Sequence, residues 1–437
     1  MLRFWTPLIA SLVSAILVFG HLEHETHDHV QVDKPRIWTE EVFTSSPVEP
    51  SRSEEEYAFK FGPQVDLPFS GPLSFAHLPY IRCLDDIGSE KNLFDIAILG
   101  MPFDTSVSYR PGARFGPHGI RSGSRRLRRE RGYSLAWEAS PYSTNDTTVL
   151  DCGDVPISPF DNSIAVAQMA AAYSTLLARP VANPCTESIR SSCVTKRLSI
   201  DGKDHPRIVT LGGDHAVVLP ILQSLHKVYG RITVIHFDSH LDTWPAQGYY
   251  GNSEDSLITH GTFFWTASYQ GLLAKGTCVH AGIRCNTNID LLPFQTLQDI
   301  DDLVNDEEVG FAIITTDDID DIGPAGIAKL IRDHVGDGPI YLSLDIDVID
   351  PVAAPATGTP EPAGWTPREL NGILRGLAGL NFVGMDIVEV APAYDTNAET
   401  TGLVAAGIVH EFLSMFIADT PPKGFKSSLR LKKGSGI

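Results

Sequence analysis

Seven short runs of apolar and β-branched residues, each followed by a helical pattern, leave this chain few ways to fold. They are "FDIAILG" near residue 94, "RIVTLGG" near 207, "RITVIHFD" near 231, "TCVHAGI" near 277, "FAIIT" near 311, "PIYLSLD" near 339 and "NFVGMDIVEV" near 381. Strands and helices alternate in this way when parallel strands are joined by helices that cover the sheet. The expected class is α/β, a three-layer α/β/α fold with a mostly parallel central sheet. A hydrophobic content of 43% with 20% charged residues suits one large globular domain.

Caps mark the helices. In "TPRELNGILRGLAGL", Thr366 is the N-cap, Pro367 the first helical residue and Glu369 the capping-box partner, with Leu370, Ile373, Leu374 and Leu377 on one apolar stripe. "DHAVVLPILQSLHKVYG" and "TTGLVAAGIVHEFLSMF" read as two more helices. Residues 181–206 are too irregular for the alternation and read as a surface insertion. The expected domain spans 71–420, after a polar arm over 21–70 whose histidines read as a solvated tail, and before a frayed basic tail over 421–437.

The first twenty residues carry Arg3 and an apolar run from about Leu8 to Phe19. That run is shorter than the ~20 residues of a membrane span. Residues 1–20 are therefore expected to be a secretory signal peptide, with an uncleaved anchor as the alternative, and no later segment is expected to cross a bilayer. In an exported chain, cysteines 83, 152, 185, 193, 278 and 285 permit three disulfides. Cys185 with Cys193 is the expected pair, tethering the insertion, and Asn145 in "NDT" is an expected glycosylation acceptor, which would make the chain a glycoprotein. The charge balance, 34 basic against 54 acidic residues, is −20. It disfavours nucleic acid and anionic membranes as partners and favours a small cationic ligand.

Polar residues gather where the strands end. "LGGDH" supplies His215; "VIHFDSHLD" sets His236, Asp238, His240 and Asp242 at every second position; "LSLDIDVIDP" carries Asp345, Asp347 and Asp350. Ligands of open parallel sheets collect at the carboxyl ends of the strands. Alternate residues of an extended strand share a face, so Asp238, His240 and Asp242 are expected to converge, as are Asp345 and Asp347. Carboxylates crowded at the end of a buried strand layer without a cation would repel and take up protons.

Carboxylates with one or two histidines favour a hard divalent ion such as manganese over zinc. Six donors, His215, Asp238, His240, Asp242, Asp345 and Asp347, suit two ions that share bridging carboxylates and hold a hydroxide nucleophilic near neutral pH. Salt-bridged loop acids and a single structural calcium are the alternatives. His236 is expected to be a satisfied core histidine, and Asp214 and Asp350 to hold loop backbone.

"LGGDH", "FDSHLD" and "SLDIDVIDP…ATGTPEPAG" resemble the signature motifs of the ureohydrolases, the arginase and agmatinase family of dimanganese enzymes. "GMPFDTSVSYRPGARFGPHGIR", residues 100–121, looks like the agmatinase-type N-terminal motif. The resemblance covers about residues 70–420, the insertion excepted. It implies an arginase-like fold, two Mn2+ per subunit, and hydrolysis of a guanidino group to urea and an amine. It also implies a homo-oligomer, since members of the family commonly form trimers or hexamers.

By this resemblance His215, Asp238, Asp242 and Asp345 hold one manganese, and His240, Asp238, Asp345 and Asp347 the other. Asp238 and Asp345 bridge, Asp242 orients the hydroxide, and Asp347 carries a proton to the leaving amine. His260, in "HGTFF", matches the proton shuttle at the cleft mouth. Glu389, in "DIVEVAP", matches the carboxylate that grips the guanidinium, a planar cation suited to two parallel hydrogen bonds. Gly358, Thr359 and Glu361, in "TGTPE", form a loop beside the site, where Thr359 is either a substrate contact or a turn residue.

Some positions depart from the family. Ala216 stands where serine is usual and Ser239 where alanine is usual, and neither change removes a ligand. Arginases carry an asparagine two residues beyond the last aspartate and a Ser-x-Asn segment before the shuttle histidine; Trp244 and "SLITH" stand here. An amino-acid head is poorly received, so the expected reaction is agmatine to putrescine and urea. The arginines from Arg110 to Arg131, "RRLRRERG" among them, read as a solvated helix face. Were Arg110 or Arg114 to reach the cleft, 4-guanidinobutyrate or another guanidino acid would be favoured. A secreted metal-dependent binding protein without turnover is the alternative of another class, against which stand His260 and six intact ligands.

Overall fold

The central runs are apolar along their whole length, the pattern of strands covered on both faces. In the computed structural model, which describes residues 72–85, 92–142, 147–184, 199–246, 258–287 and 302–423, all seven runs contain strands. The strands are β1 Ile96–Gly100, β2 Val149–Asp154, β3 Arg207–Leu211, β4 Thr233–Phe237, β5 Cys278–Ile283, β6 Phe311–Thr315, β7 Ile340–Leu344 and β8 Phe382–Ile387. They form one eight-stranded sheet in the order β2-β1-β3-β8-β7-β4-β5-β6, with every pairing parallel. The strand absent from the sequence reading is β2. Its "VLDCGD" has two apolar residues before Asp151, and it lies at the sheet edge, paired with β1 on one side and bridged at Asp151 by Tyr80 on the other.

Helices cover both faces. Buried residues of α1 Gly116–Gly123, α6 Asp318–Val335, α7 Pro367–Gly376 and α8 Thr400–Ile417 pack into one apolar layer. Those of α2 Asn162–Leu177, α3 Val218–Tyr229 and α4 Phe263–Tyr269 pack into the other, joined by Val309 at the end of α5 Asp302–Val309. The described residues belong to the unit Val65–Ile437. The capping box on α7 is formed: Glu369 N–H donates to Thr366 Oγ1 and Thr366 N–H to Glu369 Oε2. The expectation of no later membrane-length segment meets an exception in α8. That helix has the length and hydropathy of a span, but Ala405, Ile408, Val409 and Phe412 are buried in the core.

α1 and α8 cross at glycines. A Cβ at Gly123 would collide with the Gly402 carbonyl, and one at Gly402 would lie 2.9 Å from the Gly119 carbonyl. At the start of α1, a Cβ on Gly116 would come within 2.7 Å of the Val390 oxygen and 2.9 Å of the Gly212 oxygen. The helix is thus seated between α8 and the loops that follow β3 and β8.

The basic stretch is not one solvated helix face. Arg121 is buried and donates to Asp151 and Asp154, and the arginines after it lie on short turns, Ser124–Arg126 and Arg129–Arg131. A disulfide joins Cys83 to Cys152, tying the first described segment to β2. The pair expected from the sequence, Cys185 with Cys193, lies outside the described residues. So do Asn145, the segments 1–20 and 21–70, most of the insertion and most of the C-terminal tail.

Candidate metal centre and active site

Four adjacent strands, β3, β8, β7 and β4, end at one place. After β3, Asp214 accepts the Ala216 N–H at 3.0 Å and the Ser106 N–H at 2.9 Å, which turns His215 inward. After β7, Asp345 accepts the Asp347 N–H at 2.8 Å and caps the turn Ile346–Val348. β4 stops at Phe237, so Asp238 to Asp242 form a loop, and Asp242 takes a left-handed φ of 57°. The expected convergence is present, but its cause is not strand alternation. Tight turns at neighbouring strand ends aim the side chains.

His215 Nδ1 lies 3.1 Å from Asp238 Oδ2, 3.0 Å from Asp242 Oδ2 and 3.3 Å from Asp345 Oδ2. His240 Nδ1 lies 3.0 Å from Asp347 Oδ2 and 3.3 Å from Asp238 Oδ1. All six candidate donors therefore meet in one cluster, buried except for the half-buried His240. Behind them, His215 Nε2 donates to Ser343 Oγ at 2.8 Å, and Ser343 donates to Asp386 at 3.0 Å. This fixes the tautomer that leaves the Nδ1 lone pair facing the carboxylates. Asp350 stands apart, accepting from the backbone of Val352 and Gly364.

The electrostatics of the cluster call for positive charge. Burial, with repulsion from Asp347 and Asp238, raises Asp345 well above the usual carboxylate range. Burial and Asp238 raise Asp347 and bring Asp242 to about 6. Burial acts against Asp238 too, but contacts with His236, His215 and His240 hold it ionised. Among the described residues, His215 Nδ1, Asp238 Oδ2 and Asp347 Oδ2 are buried with no hydrogen-bond partner, although other polar atoms lie near 3 Å. Buried polar atoms are rarely left so. Unpaired imidazole and carboxylate atoms pointing at a common centre are the donor set of a metal site.

At the mouth, His260 Nδ1 is 3.3 Å from Glu389 Oε1. His260 Nε2 lies 3.0 Å from the Ser108 nitrogen and 2.7 Å from Ser108 Oγ, a hydroxyl oxygen that accepts from it when the ring is protonated. Burial lowers the affinity of this imidazole for a proton, but Glu389 outweighs it and brings His260 to about 9. Glu389 holds a left-handed φ of 60°, its Oε1 accepts the His215 N–H at 2.9 Å, and its Oε2 is buried without a partner. A Cβ on Gly358 would stand 3.4 Å from that Oε2 and 3.0 Å from the Arg110 oxygen. Glu361 Oε1 is 3.6 Å from His240 Nε2, so the loop carrying the half-buried Thr359 borders the site.

Ser239, the departure from the usual alanine, donates to Asp347 Oδ1 through its hydroxyl at 2.8 Å and its N–H at 3.0 Å. His236 is fully buried, and burial lowers it to about 3. Arg114 pairs with Asp104, and Arg110 lies over the rings of Tyr109 and Tyr394. Sequence reasoning missed Ser108, Ser343, Asp386, His280, Arg284 and Asp306. Arg284 donates to the carbonyls of Asp347 and Glu361, joining a donor turn to the bordering loop. A usable signal was present for His280 alone, a histidine midway along the apolar "TCVHAGI".

The sequence pattern of the Arginase family matches residues 94–415. "Putative agmatinase 1" of Schizosaccharomyces pombe is 49% identical over 355 residues, 81% of this chain and 84% of that protein. The agmatinase of Chromobacterium violaceum is 34% identical, over 81% of this chain and 92% of its own length. Among solved structures, proclavaminate amidino hydrolase from Streptomyces clavuligerus superposes with a TM-score of 0.64 at 30% identity, covering 80% of this chain and 99% of that one. With the parallel sheet and the buried histidine-aspartate cluster already in place, these similarities make the chain a member of the arginase family.

Proposed function

We propose that the chain hydrolyses a guanidino group to urea and an amine, with agmatine as substrate and putrescine as product, at a centre of two Mn2+ ions. The carrying observation is the set of unpartnered atoms, His215 Nδ1, Asp238 Oδ2 and Asp347 Oδ2, with Glu389 Oε2 unpartnered nearby. His215, Asp238, Asp242 and Asp345 are assigned to one ion, and His240, Asp238, Asp345 and Asp347 to the other, with Asp238 and Asp345 shared. When bound, the ions supply Lewis acidity and lower the pKa of water toward neutrality.

The protein's own groups supply the remaining requirements. Glu389 offers the planar cation a buried carboxylate oxygen with no competing donor, where an ion pair is little screened. His260, held between Glu389 and Ser108, keeps a proton at neutral pH for the departing amine, and Asp347 is its partner in that transfer. Trp244 packs against Gly261, next to His260, in place of the asparagine that would receive an amino-acid head. The agmatinase names of the relatives support the choice of substrate.

The second reading is 4-guanidinobutyrate, whose carboxylate tail would need a cation at the cleft; the Arg110 guanidinium lies over the rings of Tyr109 and Tyr394. The Cys83–Cys152 disulfide supports export to an oxidising compartment, and assembly as a trimer or hexamer follows the family. Urea release from agmatine, arginine and 4-guanidinobutyrate, before and after chelation and with Mn2+ restored, is the test. Turnover of agmatine that vanishes with the metal is expected. A chain that binds Mn2+ and releases no urea from any of the three would leave a binding protein.

A further inference from the structure

Behind the metal-donor loop lies a polar ring that the reaction as described does not use. His236 on β4 is in register with His280 on β5, and their Nδ1 atoms are 2.7 Å apart. His236 Nε2 packs 2.9 Å from Asp238 Oδ2, a contact without hydrogen-bond geometry that leaves both atoms open toward the metal centre. His280 Nε2 is 3.0 Å from Asp306 Oδ1 on α5. Thr243 Oγ1 donates to that same Asp306 oxygen at 2.8 Å, and Asn305 Nδ2 donates to the Thr243 carbonyl. The backbone from Thr243 to Asp238 closes the ring. His236, His280, Asp306 and Thr243 are each at most 1% exposed.

Stability gives no reason for such a device. Sequestering two imidazoles and a carboxylate from water is expensive, and apolar side chains of equal size would pack the same space at lower cost. The packing here would accept them: the His280 ring is stacked on Phe311 with centroids 4.0 Å apart, and Phe264 lies edge-on to His236 at 4.8 Å. What the ring does achieve is to attach α5 to both ends of the loop 238–243. One end is reached through His236 at Asp238, the other through Thr243, next to Asp242.

We propose that His280 and Asp306 are positioning residues of the metal centre, setting Asp238 through His236 and the Asp242 end of the loop through Thr243. This rests on reading Asp238 and Asp242 as metal donors. Groups that orient the ligands of a metal typically contribute about 10- to 100-fold in metal affinity.

The test uses the full-length chain stripped by chelator and titrated with Mn2+ alone, free ion being followed by its electron paramagnetic resonance. His280→Phe keeps the stack on Phe311 and removes both hydrogen bonds of the ring; Thr243→Val keeps shape and removes the link to Asp306. Mn2+ binding about 10- to 100-fold weaker is expected for His280→Phe, with an altered spectrum of the bound ions and a metal-free melting curve no lower than that of the unsubstituted protein. If His280→Phe does not fold, Thr243→Val decides, with binding about threefold to tenfold weaker expected from one lost hydrogen bond. Unchanged Mn2+ affinity in both folded variants overturns the proposal. An unsubstituted chain that binds Mn2+ without hydrolysing any guanidino compound sinks the function and leaves the ring standing; one that takes up no Mn2+ sinks both.

Discussion

Glu389 Oε1 lies 3.3 Å from His260 Nδ1, while the other oxygen of the same carboxylate has no partner among the described residues. One side chain thus faces both the group assigned to proton transfer and the space assigned to the substrate cation. Glu389→Gln keeps the shape and removes the charge. A charged hydrogen bond contributes about 1.5–3 kcal/mol, so kcat/KM for agmatine is expected to fall roughly 10- to 100-fold. A steady-state comparison with the unsubstituted enzyme checks this, and equal values would mean that the guanidinium sits elsewhere.

The same contact sets a pH limit. Glu389 brings His260 to about 9, so the imidazole holds its proton through neutrality and releases it as pH rises through about 9. If that proton goes to the leaving amine, kcat falls on the alkaline side. His260→Asn should lower kcat about 10²- to 10⁴-fold with a smaller change in KM. In Glu389→Gln the alkaline limb should move to lower pH, because the raising charge is gone. A limb that stays in place in the Glu389 variant would assign it to another group.

Stability of the metal-free protein should fall as pH rises from about 6.5 to about 8. Burial and Glu389 raise Asp214 to about 8, and burial raises Asp345 and Asp347. In this window the native state keeps protons that the unfolded carboxyls, with ordinary values near 4, have already lost. Bound protons in excess on the native side make the slope of stability with pH negative. His236, lowered to about 3, acts the other way, but only up to the ordinary histidine value near 6.5. Scanning calorimetry of stripped and Mn2+-loaded protein at pH 6.5 and 8 is the check: the stripped melt drops, the loaded one drops less. A pH-independent stripped melt would contradict this.

Ser239 adds a hydroxyl to the backbone N–H already bound to Asp347. Ser239→Ala removes the hydroxyl's bond to Asp347 and its 3.0 Å contact with His240 Nδ1 and leaves the N–H bond, about 1 kcal/mol or roughly fivefold in Mn2+ affinity. Titration of the stripped variant measures it; a loss of 100-fold would show the hydroxyl holding more than Asp347.

The disulfide closes a loop with a separation of 69 residues. A cross-link of that span restricts the unfolded chain by about 4 kcal/mol in the loop-entropy account. Cys83→Ser with Cys152→Ser should lower the melting temperature by several degrees and leave kcat for agmatine unchanged, because both residues sit at the β2 edge of the sheet. Calorimetry with an activity assay on one preparation separates these outcomes.

The six donors could be picked out because strand ends in a parallel sheet announce themselves, an apolar run stopping where acids begin, whereas Glu389 and His260 were named only through the resemblance to ureohydrolase motifs. How the donors converge was not legible. Alternation would have carried β4 through Asp242, but the strand ends at Phe237 and the loop turns left-handed at Asp242. Turns closed by backbone N–H groups donating to Asp345 and Asp214 leave no periodic trace. His280 and Asp306 escaped for a different reason. They meet only through β4–β5 register and the seating of α5, relations between distant segments that no local pattern carries. Cys83 with Cys152 is of the same kind, a pairing that needs the edge of the sheet before it can be seen.

The glycine crossing of α1 and α8 deserves a final consequence. Helix α1 is wedged so closely against Gly402 that a single methyl at Gly123 has to displace a backbone, and the opposite end of that helix rests on the oxygens of Gly212 and Val390. Gly212 precedes His215 by three residues, and Val390 follows Glu389 directly. The helix therefore spans from the glycine crossing to the loops that carry His215 and Glu389. An inherited or engineered change at Gly123 would register as an enzymatic defect although no reacting atom is near it, and screens that sort variants by distance from the chemistry would misfile it.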